Sequence, residues 1–406
     1  MFNRLAELGR VGRGIERDTY GAGEQAAHDL VRGTATRLGF ETRIDALGNL
    51  FVTLPGHDRD APVILVGSHL DSVPQGGNFD GAAGVLAGLA VLAGWRAADR
   101  VPRRDLVVVA IRGEESAWFD VAYIGSAGAF GRLDPSCLAV RRFDTGQSLG
   151  DALLAGGFDP AVIRERRSLL DPDRIAAYLE LHIEQAPLLE AEALPVATVT
   201  GIRGCLRFRA ARCHGRYAHS GAVPRALRSD AVAATVALLH RLEQDWWSHE
   251  AAGDDLVLTF GELTTDPAMH GPSKIAGETR FVIDIRSLSE DVMRSVATAA
   301  RAHAAAIEAE YRVRFELGEP TVSVPALMDP AIRQALGSAT ERLGVRPFEM
   351  ASGAGHDAAV FAAAGVPTGM VFIRNQNGSH NPDEAMEFDD FAVAARLLSV
   401  ALDGMA

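Results

Sequence analysis

The chain has 406 residues, of which 48% are hydrophobic, and its 40 basic and 53 acidic side chains give a formal net charge of −13. This length exceeds what one simple core usually holds, so two domains are expected. An acidic chain is repelled by the phosphates of nucleic acids, and a DNA or RNA partner is therefore not expected.

The cysteines and the apolar segments exclude two further classes of protein. Cys137, Cys205 and Cys213 form no CxxC pair, so neither a disulfide framework nor a thiolate zinc site is expected. The first residues carry charges throughout and lack the apolar stretch of a signal peptide. The apolar segment GAAGVLAGLAVLAGW (81–95) is too short and too rich in glycine to cross a membrane. The sequence thus predicts a soluble cytoplasmic protein with no membrane partner.

Four apolar runs predict buried strands, and several of them are followed by helical patterns: PVILVG, DLVVVAIRG, YLELHIEQ and TGMVFIR. Continuous apolar runs suit an α/β fold with a mixed, largely parallel sheet flanked by helices. In such sheets the functional groups gather in loops beyond the carboxyl ends of the strands. His69, Glu114, Glu115, His182 and His380 all lie at or just after the ends of these runs.

The pattern changes between residues 204 and 318, where strand-like and helical segments alternate as strand, helix, strand, strand, helix, strand. The segment SEDVMRSVATAARAHAAAIEAEY predicts a long helix with Ser289 as its N-cap. This order predicts a small α+β domain with helices on one face of an antiparallel sheet. Residues 1–203 and 319–406 would form the larger domain, into which residues 204–318 are inserted.

The histidines and acids at the predicted sheet edge form two metal-binding sets when they are taken together. His69, Asp80 and His182 could hold one divalent ion. Asp80 would also bridge to a second ion, held by Glu115 and His380. Imidazole and carboxylate ligands without thiolate suit zinc, manganese, cobalt or nickel. Taken singly, each has a simpler explanation, since Asp80 could cap a helix and adjacent glutamates usually face solvent.

Two neighbouring acids would support this site. Asp71, two residues after His69, could hydrogen-bond the second ring nitrogen of that histidine and fix its tautomer. Glu114 would be free to deprotonate water, because adjacent residues at a strand end point in different directions. The arrangement predicts metal-assisted hydrolysis.

Seven ordered motifs carry a resemblance to a known family: GSHLDSVPQGGNFDGAAGVLAGL, EESAWF, ELHIEQAPLLE, AHSGAVPRALRSDA, FVIDIRS, SGAGHDA and GSHNPDEAM. They resemble the motifs of the hydantoinase/carbamoylase family of amidases, within the dimetal aminopeptidase-like peptidases. That family includes N-carbamoyl-L-amino acid hydrolases, β-ureidopropionases and allantoate amidohydrolases. The resemblance implies a catalytic domain with two divalent metal ions and an inserted lid domain through which two subunits form a homodimer.

The resemblance also implies roles for particular residues. The family's metal ligands correspond to His69, Asp80, Glu115, His182 and His380. Its catalytic base corresponds to Glu114, and the acid that orients a ligand corresponds to Asp71. His219, in AHSG, resembles the lid histidine that reaches the partner's active site and stabilises the oxyanion. Arg286, in DIRS, resembles an arginine that clamps the substrate carboxylate. Gln185, in HIEQ, resembles the contact to the ureido or amide group.

A further substrate loop is implied by SGAGHDA, which contains Gly353, Ala354, Gly355 and His356. Three departures from the family pattern bear on the substrate. Trp118, in EESAWF, stands where an arginine is usual and would favour a bulkier or more apolar substrate, although it could equally be a core aromatic. Ser273 stands for an asparagine on the carboxylate side of the substrate, and Lys274 and Arg225 could serve an extra acid group.

The function predicted is metal-dependent cleavage of a linear C–N amide, the N-carbamoyl group of an N-carbamoyl-L-amino acid or a related ureido acid. The alternative is an aminoacylase or dipeptidase that hydrolyses an N-acyl or peptide bond, although those enzymes commonly present an acid at the place of His182. A non-catalytic binding protein on the same fold is a more remote alternative, because such a protein would be expected to have lost a ligand or the base.

Overall fold

The computed structural model describes residues 1–405, which divide into two compact units. The first unit comprises Met1–Thr200 and the chain from Leu327 onward, and the second comprises Gly201–Ala326. The second unit ends later than the predicted residue 318 because Thr321–Ser323 forms a strand that pairs with the strand Gly204–His214. No helix in residues 1–405 is both long and apolar enough to span a membrane.

The α-helices, in chain order, are α1 (Phe2–Gly9), α2 (Ala22–Arg37), α3 (Ala82–Ala97), α4 (Ile124–Ala129), α5 (Leu149–Ala155), α6 (Ala161–Arg164), α7 (Leu188–Ala191), α8 (Ala231–Ala252), α9 (Glu290–Tyr311), α10 (Pro330–Arg342), α11 (Asp357–Ala363) and α12 (Phe388–Asp403).

The strands, in chain order, are β1 (Arg10–Val11), β2 (Gly14–Ile15), β3 (Glu41–Ile44), β4 (Leu50–Leu54), β5 (Val63–His69), β6 (Leu106–Ile111), β7 (Ile175–Ile183), β8 (Val196–Ile202), β9 (Gly204–His214), β10 (Ala218–His219), β11 (Val257–Thr259), β12 (Leu263–Thr265), β13 (Lys274–Ile275), β14 (Glu278–Ser287), β15 (Arg314–Glu316), β16 (Thr321–Ser323), β17 (Ala326–Leu327), β18 (Glu349–Ser352) and β19 (Thr368–Ile373).

The first unit is built on a mixed sheet with the strand order β8-β19-β7-β5-β6-β4-β3. The neighbouring strands β19, β7, β5 and β6 run parallel, and β8, β4 and β3 add antiparallel edges. All six residues of β6 and six of seven in β5 are buried, as expected for strands covered on both faces. The predicted α/β fold is confirmed, and the parallel strands place four carboxyl ends at one edge.

Helix α3 packs against the parallel strands, and eleven of its sixteen residues are buried. Its alanines and glycines allow this close approach, since a Cβ on Gly84 would overlap the Leu181 carbonyl of β7. The N-cap of α3 is Gly81, in the left-handed region at φ 64°. The interpretation of Asp80 as the helix cap is therefore wrong, and its side chain is available for another role.

The second unit is an antiparallel sheet with helices. The strand order is β11-β14-β9-β15, with β12 paired to β14 and β16 paired to β9. Burial alternates along β9 and β14, so one face of the sheet packs against α8 and α9 in a hydrophobic core. Helix α9 begins after Ser289, whose side chain accepts a hydrogen bond from the Val292 N–H, as the sequence predicts.

Candidate active site

The first candidate metal-binding group lies where β5, β7 and the loop before α3 meet. His69 ends β5, His182 lies next to the end of β7, and Asp80 precedes the cap of α3. Asp80 Oδ1 is 3.0 Å from His182 Nε2 and 3.5 Å from His69 Nε2. The two Nε2 atoms are 3.4 Å apart, and all three side chains are buried. The structure thus brings the first predicted set together.

The tautomers of these histidines suit a cation. The Nδ1 atom of His69 is 3.1 Å from the Asp71 carbonyl oxygen and that of His182 is 2.9 Å from the Ile183 carbonyl oxygen, so both Nδ1 atoms donate. Their Nε2 lone pairs then converge on Asp80 Oδ1. Three lone pairs this close together repel one another unless a proton or a metal ion lies between them.

The second group uses the other oxygen of Asp80. His380 Nε2 is 3.4 Å from Asp80 Oδ2 and 3.3 Å from Glu115 Oε1. Each oxygen of Asp80 therefore faces a different set of histidine nitrogens, which is the geometry of a bridging carboxylate. His380 follows β19 in a loop, has a left-handed backbone at φ 60° and is half exposed. These six ligand positions, with Asp80 counted in both groups, fit two divalent ions with nitrogen and oxygen ligands.

Asp71 supports both groups at once. Its Oδ1 is 3.3 Å from His69 Nδ1, the contact that the sequence predicts. The same carboxylate accepts the backbone N–H groups of Glu114 and Glu115, each at 3.2 Å, and the Thr19 hydroxyl at 2.7 Å. It therefore orients one candidate ligand and also holds the end of β6, where the candidate base and a second candidate ligand lie.

Glu114 is beside both groups and belongs to neither. Its Oε2 lies 4.0 Å from His69 Nε2, and its side chain is buried. Burial raises the pKa of Glu114 well above its usual range, and the charges of Glu115 and Asp357 raise it further against the opposing effect of His69. A carboxylate with a raised pKa beside a metal-binding group can accept a proton and return it near neutral pH.

A cavity of about 160 Å³ opens onto these groups. Its remaining lining comes from the loops after β6, β7 and β18: Ser116, Ala122, Tyr123, Gln185, Ala354, Gly355 and His356. Cavities of about 610 and 520 Å³ are larger but are lined only by residues of the second unit, where the described residues form no candidate metal group. The chemistry of the lining therefore favours the small cavity as the active site.

Gln185 is held in a defined orientation at the wall of this cavity. It has a left-handed backbone at φ 63°, and its N–H donates to Asn375 Oδ1 at 2.9 Å. Its side-chain Nε2 donates to Asp80 Oδ2 at 2.9 Å. The Oε1 atom is buried and has no hydrogen-bond partner in the described chain. Gln185 thus lines the cavity and carries a buried acceptor that the described chain leaves unpaired.

The loop of Gly353, Ala354, Gly355 and His356 contributes its last three residues to the cavity lining. His356 is buried, its Nε2 is 3.0 Å from Ser352 Oγ, and its ring packs 4.4 Å from the ring of His182. Burial lowers the pKa of His356 well below its usual value, so the ring is neutral. His356 therefore packs beside the candidate ligand His182 and lines the cavity without adding charge.

Trp118 is not part of the cavity lining. It is 3% exposed in a core cluster with Phe119 and Leu149, and its indole N–H donates to the Ser72 carbonyl oxygen at 2.7 Å. Arg142 lies over its ring at 4.4 Å. The assignment of Trp118 as a substrate contact is a wrong expectation for this structure, because the ring is enclosed by core side chains and its donor is already used.

The other predicted contacts belong to the second unit. His219, in β10, pairs with Lys274 of β13, and the N–H of Ser220 donates to the Ser273 carbonyl oxygen at 2.9 Å. His219 Nδ1 accepts the N–H groups of two following residues, each at 3.1 Å, so its Nε2 carries the proton. Arg286 donates from Nη2 to Asp284 Oδ2 at 3.0 Å. His219 and Ser273 thus lie together on one ribbon, and Arg286 lies on β14.

Several residues of the site were not predicted. Ser379 Oγ lies 2.6 Å from both Asp80 Oδ2 and Glu384 Oε2, and Glu384 also accepts the Phe79 N–H at 2.8 Å. The GSHNPDE motif contained this signal, since Ser379 and Glu384 lie within it. Arg17, by contrast, donates to the Leu70 carbonyl oxygen at 2.6 Å across a separation that no local pattern reveals.

The chain is similar to known proteins over most of its length. The sequence model of peptidase family M20/M25/M40 matches residues 65–403. The chain is 38% identical to an N-carbamoyl-L-amino acid amidohydrolase of Geobacillus stearothermophilus over 405 residues, 98% of this chain and 96% of that protein. It is 33% identical to allantoate amidohydrolase of Escherichia coli over 365 residues, 90% of this chain and 86% of that protein.

Solved structures give the same result. A crystal structure of a hydantoinase/carbamoylase family amidase from Burkholderia multivorans superposes with a TM-score of 0.89 at 29% identity, covering 99% of this chain and 95% of that chain. The chain therefore belongs to peptidase family M20/M25/M40 and, within it, to the hydantoinase/carbamoylase family of amidases. It is a hydrolase.

Proposed function

We propose that this hydrolase acts on C–N bonds other than peptide bonds and removes the N-carbamoyl group of an N-carbamoyl-L-amino acid or a related ureido acid. Asp80 carries the proposal, because its Oδ1 lies 3.0 Å from His182 Nε2 and its Oδ2 lies 3.4 Å from His380 Nε2. The names of the amidohydrolase relatives support the substrate class.

Two divalent ions, of zinc, manganese, cobalt or nickel, would be held by the two groups. His69, Asp80 and His182 would hold one ion, and Asp80, Glu115 and His380 the other. The convergence of two imidazole nitrogens and a carboxylate oxygen within 3.5 Å of one another supports this assignment. When bound, such ions polarise a carbonyl group and lower the pKa of water.

Glu114 would supply the proton transfers. Its Oε2 would take a proton from the attacking water, so that a C–O bond forms to the carbonyl carbon. The same carboxyl group would return the proton to the leaving nitrogen as the C–N bond breaks. With a carbamoyl substrate the products are the amino acid, ammonia and carbon dioxide. The raised pKa of Glu114 supports both steps, because it brings the group closer to neutral pH.

The unused acceptor of Gln185 favours a carbamoyl over an acyl substrate. Its Oε1 is buried without a partner, and its Nε2 is committed to Asp80 at 2.9 Å. The terminal NH₂ of a carbamoyl group could donate to this oxygen, whereas the methyl of an acetyl group could not. A buried acceptor left unpaired is costly, so the difference would discriminate between the two substrates.

Residues of the second unit would complete the site. His219 would donate from Nε2 to the oxyanion, in the active site of a partner subunit, and its two backbone hydrogen bonds to Nδ1 support that tautomer. Arg286 and Ser273 would bind the substrate carboxylate, and Arg286 would then share its guanidinium with Asp284.

A homodimer through residues 204–318 is part of the proposal. Val232, Val236 and Trp247 of α8 are 36%, 52% and 57% exposed, and apolar side chains repeated on one helix favour an interface. Light scattering during gel filtration tests this assembly. Val236→Asp should shift the dimer towards monomer, whereas the same change at the exposed Val101 should leave the mass unchanged.

The activity is tested with a substrate panel on protein that has been stripped with a chelator and reloaded with one metal at a time. N-carbamoyl-L-amino acids, β-ureidopropionate and allantoate should release ammonia, and chelation should abolish this release. N-acyl amino acids and dipeptides form the other arm, because the matching family is one of peptidases. Turnover confined to that arm would replace the carbamoylase proposal with an aminoacylase or dipeptidase. No turnover of any substrate by reloaded protein would refute hydrolysis at this site.

A further inference from the structure

Tyr123 lies in the wall of the active-site cavity, although no motif points to it. It lines the cavity together with Glu114, Gln185 and Gly355. It is the last residue before α4 and has a left-handed backbone, φ 59° and ψ 34°. An aromatic residue rarely adopts this conformation, which persists only where the surroundings enforce it.

The backbone of Tyr123 is tied to the strand end that carries the candidate base. The Tyr123 N–H donates to the Glu114 carbonyl oxygen at 3.0 Å, and the Ile124 N–H donates to that of Gly113 at 2.7 Å. The Gly125 N–H donates to the Arg112 carbonyl oxygen at 2.8 Å. Three consecutive hydrogen bonds therefore fix the backbone of Tyr123 relative to that of Glu114. The Tyr123 side chain thus starts from a fixed backbone position.

The phenol ring reaches the substrate loop on the other side of the cavity. A Cβ on Gly355 would overlap the Tyr123 hydroxyl oxygen and would lie 3.2 Å from Tyr123 Cζ. Any side chain at position 355 would therefore push the hydroxyl out of its place. The Tyr123 hydroxyl can occupy its position only because residue 355 is a glycine.

The hydroxyl is a donor that the protein itself does not use. Within residues 1–405 it makes no hydrogen bond, whereas Gln185 Nε2 is committed to Asp80. The carboxylates that line the cavity, Asp80, Glu114 and Glu115, are acceptors. Burial raises the pKa of Tyr123 well above its usual value, and the charges of Glu114 and Asp357 add to this effect, so the phenol keeps its proton. Ser116 also has a hydroxyl in the lining, but this side chain is exposed to solvent.

We propose that Tyr123 is a substrate-binding residue whose hydroxyl donates a hydrogen bond to an oxygen atom of the amide or ureido acid in the cavity. The inference rests on the proposed function, since it concerns the substrate of that site. A carboxylate oxygen and the reacting carbonyl oxygen share the required chemistry, because both accept a hydrogen bond. Gly355 is the position that keeps room for this hydroxyl.

The test is a double-mutant cycle of Tyr123→Phe and Gly355→Ala, measured as steady-state kinetics of the metal-reloaded enzyme. Tyr123→Phe should lower kcat/KM about tenfold, the usual loss for one hydrogen bond to substrate. A rise in KM alone would identify a carboxylate oxygen, and a fall in kcat would identify the reacting oxygen. Gly355→Ala should cost a similar factor in the wild type and much less in the Tyr123→Phe background.

Tyr311→Phe makes the same chemical change in the second unit and should leave the kinetics unaltered. Circular dichroism melting of each variant separates a folding defect from a binding defect. An unchanged kcat/KM in Tyr123→Phe, or equal costs of Gly355→Ala in both backgrounds, would overturn the inference while the wild-type turnover still supports the proposed function. Absence of turnover in the wild type would overturn both.

Discussion

Asp80 is the residue on which both candidate metal groups depend, because each of its oxygens faces different histidine nitrogens. Asp71 has a comparable double role, since one carboxylate contacts His69 and holds the backbone of Glu114 and Glu115. Such sharing makes these acids harder to replace than single ligands. Glu114, which belongs to neither group, is the residue whose change should separate catalysis from metal binding.

Glu114→Gln should reduce kcat by a factor of about 10²–10⁴, the usual contribution of a general base, because an amide cannot accept the proton from water. The metal content should stay at the wild-type value, since Glu114 is not in either ligand group. Turnover and elemental analysis of the same samples test both statements. Glu190→Gln, at an exposed position, is the matched control. Near-normal turnover with full metal content would remove Glu114 from the role of base.

Asp357 shows how burial can reverse the usual pH behaviour of a carboxyl group. It is fully buried and accepts a hydrogen bond from Ser126 Oγ at 2.5 Å. Burial, aided by the charge of Glu180, raises the pKa of Asp357 to about 8. The folded protein therefore holds this proton more tightly than the unfolded chain does. The stability linked to it is complete below the pKa of an unfolded aspartate, about 4, and is lost as the pH rises towards 8.

Chelator-treated wild type should therefore lose stability between pH 5 and pH 8, by on the order of 1 kcal/mol per pH unit from this group alone. Asp357→Asn should flatten that slope, because an amide carries no proton to lose and can still accept from Ser126. Urea unfolding at both pH values measures the difference. Identical slopes in the two proteins would show that Asp357 ionises normally.

At the scale of elements, the site depends on how α3 begins. Gly81 caps the helix with a left-handed backbone, and a Cβ there would lie 2.5 Å from Nδ1, Cε1 and Nε2 of His69. A side chain on the helix cap would therefore displace the ring of the candidate ligand His69. The parallel strands also position the site, since their carboxyl ends bring His69, Glu115 and His182 to one edge of the sheet.

Gly81→Ala should weaken metal binding at least tenfold and cost about 1–3 kcal/mol of stability, because the backbone is strained and the His69 ring must move. Gly94→Ala is the matched control in the same helix. It lies at an exposed position with no atom within 4 Å of its Cβ, so alanine should stabilise the protein by about 0.5–1 kcal/mol. Metal titration and thermal melting measure both effects. Equal behaviour of the two variants would contradict this account.

At the scale of the whole molecule, the metal groups join distant parts of the chain within the first unit. Asp80 and His380 belong to the same candidate group, so an ion held there would close a long loop of the chain. A ligand that binds only the folded state stabilises it by mass action. Metal binding should therefore contribute directly to the stability of the first unit.

Reloading with metal should raise the melting midpoint of chelator-treated protein, and the rise should be larger at pH 8 than at pH 6. Hydrogen bonds to Asp80 and Glu115 raise the pKa of His380 to about 11, so the metal-free histidine is protonated and metal must displace that proton. The apparent affinity then falls as the pH falls. Scanning calorimetry of wild type, His380→Ala and the exposed-site control His57→Ala tests this. A rise independent of pH in the wild type would refute proton competition.

Much of this candidate site was predicted from the sequence alone. The meeting of the candidate ligands with Glu114 and Asp71 was predicted because the carboxyl ends of parallel strands share one edge, so residues far apart in sequence come together there. The N-cap at Ser289 and the antiparallel second sheet were predicted from local sequence patterns. The family relationship, confirmed by the comparisons, was carried by ordered motifs.

Only the tertiary structure decided the contacts that depend on side-chain direction. Trp118 is adjacent to the metal-site acids in sequence, yet its ring turns into the core. Tyr123 lies outside every motif, yet its hydroxyl meets Gly355. The physical reason is that sequence spacing determines which strand end carries a residue, whereas the packing of loops from distant parts of the chain determines where each side chain points.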